Sequence, residues 1–221
     1  MSFRLVYYPN DPIDSSHNAL SLYLADQFEY RKVVFDLVSD HRLLHLFTNN
    51  ELINYRDIQV ITDVFAFDIN SNATLQKILP IMKKSLELTQ INEIQQLNQD
   101  LNRILFNEIA GWQMPLSFRN NLDINSLLLS KELKIDMFEW TDVLDKMIGV
   151  IEIIAELKLA TVLIVAGLNS LFNAEEIQEI IDTAVSKNVK IVLIDNVRSL
   201  GGDIRGLSRF AIDTDGFMYE Y

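Results

Sequence analysis

The stretch VITDVFAFDINSNATL, Val60 to Leu75, is where the chain changes character and where the fold is decided. Its first half carries Val60, Ile61, Val64 and Phe65, β-branched or aromatic residues suited to a strand packed on both faces. Asp63 and Asp68 interrupt that run, and Asn70-Ser71-Asn72 then supplies turn and helix-cap chemistry. Before this stretch the elements read as short and strand-like. After it the period is helical until a second strand-rich block begins near Ala160.

Toward the N-terminus, Phe3–Tyr8 alternates like a strand until Pro9 and Pro12 stop it, and Ala19–Leu24 alternates again. These predict two sheet strands. Asp26 is placed to cap a helix running to Ser39, with Phe28, Val33, Val34, Leu37 and Val38 as its apolar face. His41–Phe47 fits either class, and Ile58–Thr62 leads into the deciding stretch.

Toward the C-terminus, Leu75, Ile78, Leu79, Met82 and Leu86 form one helical stripe. Ile91, Ile94, Leu97, Leu101, Ile104, Leu105 and Ile109 form a second at near-heptad spacing, and both read as packing stripes. Gly111 and Pro115 end the second helix, Asp123 can cap a short one, and Asp136 opens a longer one to Leu157. Within it Met147–Ile154 is apolar almost all round, so protein is expected on most sides of it. Ala160–Val165 and Val189–Ile194 are continuous apolar runs flanking an Asn173/Glu176 capping box and the helix face Ile177, Ile180, Ile181, Ala184 and Val185. That is a βαβ unit with parallel strands, and Ala211–Tyr221 is expected to add short edge strands. The architecture that follows is an α/β domain built from residues 1–69 and 158–221, with an all-α insertion at 70–157.

At 221 residues and 49% apolar side chains, the chain can bury a sizeable core. Its start lacks an apolar signal core and no apolar run is long enough to span a bilayer, so no membrane role and a cytoplasmic location are expected. With no cysteine, neither disulfides nor thiolate chemistry is available, and a net charge of −12 argues against a uniformly basic surface. Basic side chains do cluster locally: Arg31-Lys32, Lys77 with Lys83 and Lys84, and Arg198, Arg205 and Arg209 in a Gly-rich loop.

Two apolar runs end in Asp, at Asp63 and Asp195, like the Mg²⁺-holding strand of nucleotide hydrolases. The phosphate cradle is missing, because the loop Ala166–Asn173 has one glycine and no lysine. His41 and His45 at i, i+4 lack the acid and third ligand of a zinc hydrolase. Ser15-Ser16-His17 has no nucleophile elbow, and Trp112 and Trp140 read as anchors of packing.

The segment Ile61-Thr62-Asp63-Val64-Phe65-Ala66-Phe67-Asp68-Ile69-Asn70-Ser71 resembles the V-T-D-x-x-x-F-D-x-N-S signature of the Csn-family ring protein of type II-A CRISPR-Cas systems. The order and length of the flanking blocks agree with that family over nearly the whole chain. The resemblance implies an α/β head that is P-loop-NTPase-like but degenerate, with a mostly parallel sheet and an inserted all-α leg. It also implies a homotetrameric ring that holds double-stranded DNA ends in a basic central hole, without catalysis or nucleotide. Such a protein supports spacer acquisition beside the CRISPR integrase complex and the RNA-guided effector nuclease. In an acidic subunit the hole must draw on the few basic clusters, here Arg31, Lys32, Arg56, Lys83, Lys84 and Arg119. The family's acidic run between head and leg implies calcium; the matching stretch GWQMPLSFRNNLD offers Asp123 alone, with Asp63, Asp68 or a neighbouring subunit as the other sources of ligands. The competing reading is a degenerate nucleotide-binding-like scaffold with no nucleic-acid role; an enzyme using Asp63 or Asp195 with Mg²⁺ comes third.

Overall fold

The apolar runs condense into two sheets and six helices in the computed structural model, which describes residues 3–39, 42–137, 140–198 and 203–221. In chain order these are β1 (Phe3–Tyr7), β2 (Ile13–Ser15), β3 (Ala19–Leu24), α1 (Gln27–Val38), β4 (Leu44–Thr48) and β5 (Glu51–Leu52). A 3-10 turn at Tyr55–Asp57 leads to β6 (Ile58–Ile61), followed by α2 (Asn72–Ser85), α3 (Leu88–Ile109), α4 (Ile124–Ser130) and α5 (Val143–Glu156). The chain closes with β7 (Val162–Ala166), a 3-10 turn at Leu168–Ser170, α6 (Ala174–Ser186), β8 (Lys190–Asp195), β9 (Leu207–Ile212) and β10 (Met218–Glu220).

The larger sheet runs β10-β9-β3-β8-β7-β6, with every neighbouring pair from β9 to β6 parallel and β10 antiparallel at the edge. A smaller antiparallel sheet, β2-β1-β4-β5, is built from the early strands. The class is therefore mixed α/β. One core joins the sheets: Leu5, Leu44 and Leu46 of the small sheet and Val33 and Leu37 of α1 meet Leu20, Leu22, Ile164, Val192 and Ile194 of the large one. Because strand side chains alternate, the odd-numbered β3 residues Ser21 and Tyr23 lie on the opposite face. Among the described residues no helix is long and apolar enough to cross a membrane.

The chain divides into two compact units, one of Met1–Asp68 with Asp136–Tyr221 and one of Ile69–Ile135. This moves the boundary expected at 157/158. Helix α5 packs against α6 and belongs with the sheets, and it starts at Val143 behind the N-cap Asp142, not at Asp136. The reason is topological: β6 and β7 are parallel neighbours, so the chain between them must supply a crossover element that packs on the sheet. Met147, Val150, Ile151 and Ile154 are all buried, so the all-round apolarity of this segment is satisfied within the chain.

Other expectations shift with burial. The deciding strand is short and at the edge: β6 ends at Ile61, and Phe65 is exposed in the turn that follows. In α1 only Val33 and Leu37 of the expected apolar face are buried, while Phe28 and Val38 are exposed. The second stripe is not a packing stripe inside the subunit, since no residue of α3 is buried. Of the two terminal strands only β10 is an edge, β9 being parallel to β3.

Gly149 lies under the indole of Trp140, and a Cβ built there would overlap the ring. Gly→Ala inside a helix ordinarily stabilises by up to about 1 kcal/mol, but overpacking costs about 1–3 kcal/mol. Overpacking wins here: Gly149→Ala is expected to lower stability, read as a lower urea midpoint, and an unchanged or raised midpoint would show that Trp140 yields freely.

Candidate nucleic-acid interface

In parallel α/β sheets ligands meet the carboxyl ends of the strands. Here those ends carry Asp63 after β6, Gly167 after β7, Asp195 at the end of β8, Asp26 after β3 and Asp213 after β9. The helix N-termini at this edge are closed by the chain itself. Asp26 Oδ1 accepts from the Phe28 N–H at 2.7 Å. Asn173 Oδ1 accepts from the N–H groups of Glu175 and Glu176 at 2.9 and 3.0 Å, and Glu176 returns the bond to the Asn173 N–H at 2.8 Å. A phosphate at either terminus would have to displace a cap and sit beside Asp26, Glu175 and Glu176, which is repulsive.

The loop after β7 is likewise folded inward. Gly167 adopts φ 77°, a left-handed turn that brings the Asn169 N–H onto both oxygens of Asp195 at 3.2 and 3.3 Å. Asp195 is fully buried, and burial pushes its carboxyl up to about 7 against the hydrogen bonds from the Asn169 and Leu168 backbone. It is a buried acceptor under the loop. Asp63, by contrast, is exposed, with Oδ1 accepting from the Phe65 and Ala66 N–H groups at 2.8 and 3.1 Å, a turn-forming arrangement.

The basic candidates fall on both units. In the sheet-containing unit Arg31 and Lys32 are exposed near the start of α1, and Lys32 pairs with Glu29 at 3.3 Å. Arg56 is exposed in the turn before β6. Since β3 and β6 run in the same direction, α1 begins at the carboxyl edge of the sheet and Arg56 sits at the amino edge. The fold separates these two clusters.

In the helical unit Lys83 and Lys84 occupy the last turn of α2, where the helix dipole favours cations, and both are exposed. Arg119 is exposed in the loop before α4. Lys83 comes near enough to Asp123 to help hold that carboxyl below its usual value, after the larger effect of the Ser126 hydroxyl. The loop that carries Arg119 is held to α3, where the Asn98 and Asn102 side-chain amides donate to the Asn120 carbonyl at 2.8 and 2.7 Å.

Asp123 accepts from the Asn125 and Ser126 N–H groups at 3.3 Å each and from Ser126 Oγ at 3.0 Å, so its oxygens are engaged in capping α4. Calcium takes 6–8 oxygens, commonly from several carboxylates. Among the described residues no group of three or more His, Cys, Asp or Glu is placed to hold a metal, and this carboxylate does not fit such a site. His45 instead lies 3.1 Å from the Tyr55 hydroxyl; His41, its expected companion, is outside the described residues.

Sequence reasoning missed one constellation. Arg198, one of the loop arginines, has its guanidinium 5.2 Å from the Tyr23 ring centre and 5.7 Å from that of Tyr221. The visible signal was Tyr219-Glu220-Tyr221 at strand spacing beside an arginine loop.

A family model described as CRISPR-associated protein (Cas_Csn2) matches residues 36–216. No curated protein matches the chain. Among solved structures, "Crystal structure of Stu0660 of Streptococcus thermophilus" aligns with 100% of this chain and 76% of its own, at 13% identity and a TM-score of 0.60. That likeness is one of fold. The Clostridium perfringens protein described as cbiO1, part of the ABC transporter complex cbiONQ, aligns at 10% identity and a TM-score of 0.47, over 98% of this chain and 86% of its own.

Asp195 makes stability depend on pH. Its folded pKa lies above its unfolded value, so its ionisation opposes folding, and stability is lost as pH rises from about 4 to about 7. Asp195→Asn removes that loss. In urea titrations the variant should gain on the wild type by about 2 kcal/mol between pH 5 and pH 8, and a constant difference would refute the assignment.

Proposed function

We propose, for a chain that belongs to the family of CRISPR-associated proteins described as Cas_Csn2, that it binds double-stranded DNA without reading sequence and without catalysis. Duplex ends enter the central hole of a homotetrameric ring, and the bound ring supports acquisition of new spacers with the integrase complex and the RNA-guided effector nuclease. The observation that carries the reading is the family match over residues 36–216, which contains the whole Ile61–Ser71 signature. The α/β part is, in this proposal, a P-loop-like head whose phosphate sites are closed by Asp26 and the Asn173/Glu176 box. The helical unit is its leg.

Two features support the quaternary part. Leu88, Leu97, Leu101, Ile104 and Phe106 of α3 are between 49% and 73% exposed, more apolar helix surface than a lone subunit ordinarily leaves in water. Leu97, Leu101 and Ile104 follow an i, i+4, i+7 course along one side, the pattern by which two helices pack. The ring then buries α3 while the exposed cations of α2 and the Arg119 loop face the duplex. Light scattering at micromolar concentration should give the tetramer mass, and Leu97→Glu with Leu101→Glu should yield a smaller species with unchanged helix content. A monomeric wild type would sink the assembly.

Phosphate contacts carry no base information, so affinity should fall steeply with salt and be the same for unrelated sequences. Removing one phosphate contact lowers the magnitude of the log-affinity against log-salt slope by about 0.9, and a tetramer repeats each removal fourfold. Lys83→Glu with Lys84→Glu should therefore weaken binding of linear duplex and flatten the slope at unchanged oligomer mass. A sealed circle should bind worse than the same DNA linearised. Unchanged affinity and slope for reversal of every candidate cluster, Arg31-Lys32, Arg56, Lys83-Lys84 and Arg119, would leave the scaffold reading in first place.

A further inference from the structure

The carboxyl-side corner of the large sheet carries a built cluster that duplex binding does not use. Strand register sets it: Tyr23 on β3 pairs with Ala211 on β9, and Ala211 pairs with Tyr219 on β10. Partners in a sheet share a face, and residues two apart on a strand share it too, so Arg209 and Tyr221 join the same face. Ala211, in the middle of the row, is small and wholly buried. Arg198 arrives over the row from the end of β8. Its Nη2 donates to the Tyr219 hydroxyl at 2.6 Å, and its guanidinium lies over Tyr23 and Tyr221.

Arg209 is the strand neighbour of Tyr221, whose N–H donates to the Arg209 carbonyl at 3.1 Å. Burial pushes the Tyr221 phenol up, while Arg209 and then Arg198 pull it down. The Tyr219 and Tyr221 rings are 6.3 Å apart and tilted by 58°, and they remain 39% and 44% exposed. Exposed tyrosines on adjacent positions of a sheet face, bordered by arginines, are the chemistry on which unpaired bases stack while phosphates find cations. A base pair held inside a duplex cannot use such a platform, because both of its faces are already stacked. The three tyrosines Tyr23, Tyr219 and Tyr221 lie outside the residues 36–216 that the family model matches, while Arg198 and Arg209 lie inside them.

We propose that this platform binds single-stranded nucleic acid, with bases stacking on Tyr219 and Tyr221 and phosphates meeting Arg198 and Arg209. The site goes beyond the duplex reading and does not depend on it. A protein that holds duplex ends and also captures unpaired bases would distinguish blunt ends from ends bearing overhangs. Asp195, the partner of Tyr23 on β8, is buried beneath the Asn169 loop and does not oppose a phosphate at the surface, and Asp213, two residues beyond Ala211, accepts from the Asp215 and Phe217 N–H groups at 2.9 Å.

The test uses the full chain, a fluorescein-labelled oligo(dT) of about 15 nucleotides and a matched blunt duplex, followed by anisotropy. Tyr219→Ala with Tyr221→Ala should weaken oligo(dT) binding by about 5- to 150-fold and leave duplex binding as it was. Tyr219→Phe with Tyr221→Phe keeps the rings and should retain binding of the single strand. Equal oligo(dT) affinity for the wild type and the Ala pair, or no oligo(dT) binding by the wild type, overturns the proposal. Should the Ala pair fail to fold, photocrosslinking of an iododeoxyuridine single strand to the wild type decides the matter. Crosslinks at Tyr219 or Tyr221 support the platform, and crosslinks confined to the helical unit overturn it. Duplex binding is scored separately, so loss of either reading leaves the other standing.

Discussion

The parallel pairing of β3 with β8 is the constraint on which the rest of this molecule depends. It sets Ala19–Tyr23 against Ile191–Asp195, residues from opposite ends of the chain, and closes a loop that contains all six helices. Closing so long a loop is entropically unfavourable, though the cost grows only logarithmically with length. Burial offsets it. Leu20, Leu22, Ile191, Val192, Leu193 and Ile194 are all 1% exposed or less, and fully burying each such side chain contributes about 1.5–3 kcal/mol. Leu20, Leu22, Val192 and Ile194 face the core shared with the small sheet and α1, and on the other face β8 stays apolar with Ile191 and Leu193 while β3 carries Ser21 and Tyr23.

Once β3 and β8 are paired, the remaining order is forced outward. β7 joins β8 through α6, β6 joins β7 through a crossover that ends in α5, and β9 takes the free side of β3. The residues 69–135 are then an enlargement of one crossover. A crossover needs only one helix against the sheet, and α5 supplies it. The helices α2, α3 and α4 fall in the unit of Ile69–Ile135, and α3 keeps Leu97, Leu101 and Ile104 exposed.

Much of this was legible in the sequence where a local signal and the global fold agree. Asn173 and Glu176 announce a capping box and form one, Asp26 and Asp123 cap the helices they precede, and the runs at 162–166 and 190–195 are buried parallel strands. Reading failed where burial is decided by partners far away in the chain. The period of α3 shows an apolar stripe but not what covers it, and the same apolar density in Met147–Ile154 is covered by the chain's own sheet unit. Gly149 gave no sign of the Trp140 ring above it, since that contact is between a helix and the segment leading into it. The candidate site was legible as residue types only: the arginine and tyrosine positions could be named, but strand register alone puts Tyr23, Tyr219 and Tyr221 on one face.

Charge follows the same division between the two units. A chain of net charge −12 can meet a polyanion only where cations are local and acids are neutralised or turned away. The carboxyl edge of the sheet, the customary place for phosphates in such folds, has been given to Asp26, Glu175 and Glu176, each at or next to a helix N-terminus where a carboxylate is favoured. That use of acids stabilises α1 and α6 and at the same time occupies the N–H groups an anion at either terminus would meet. Cations are favoured at the opposite pole of a helix, and Lys83 and Lys84 stand at the C-terminal turn of α2. The same dipole rule thus places acids and side-chain caps at the helix N-termini of α1 and α6 and exposed lysines at the C-terminal turn of α2, so anion-repelling and cationic surfaces stand together in a single acidic chain.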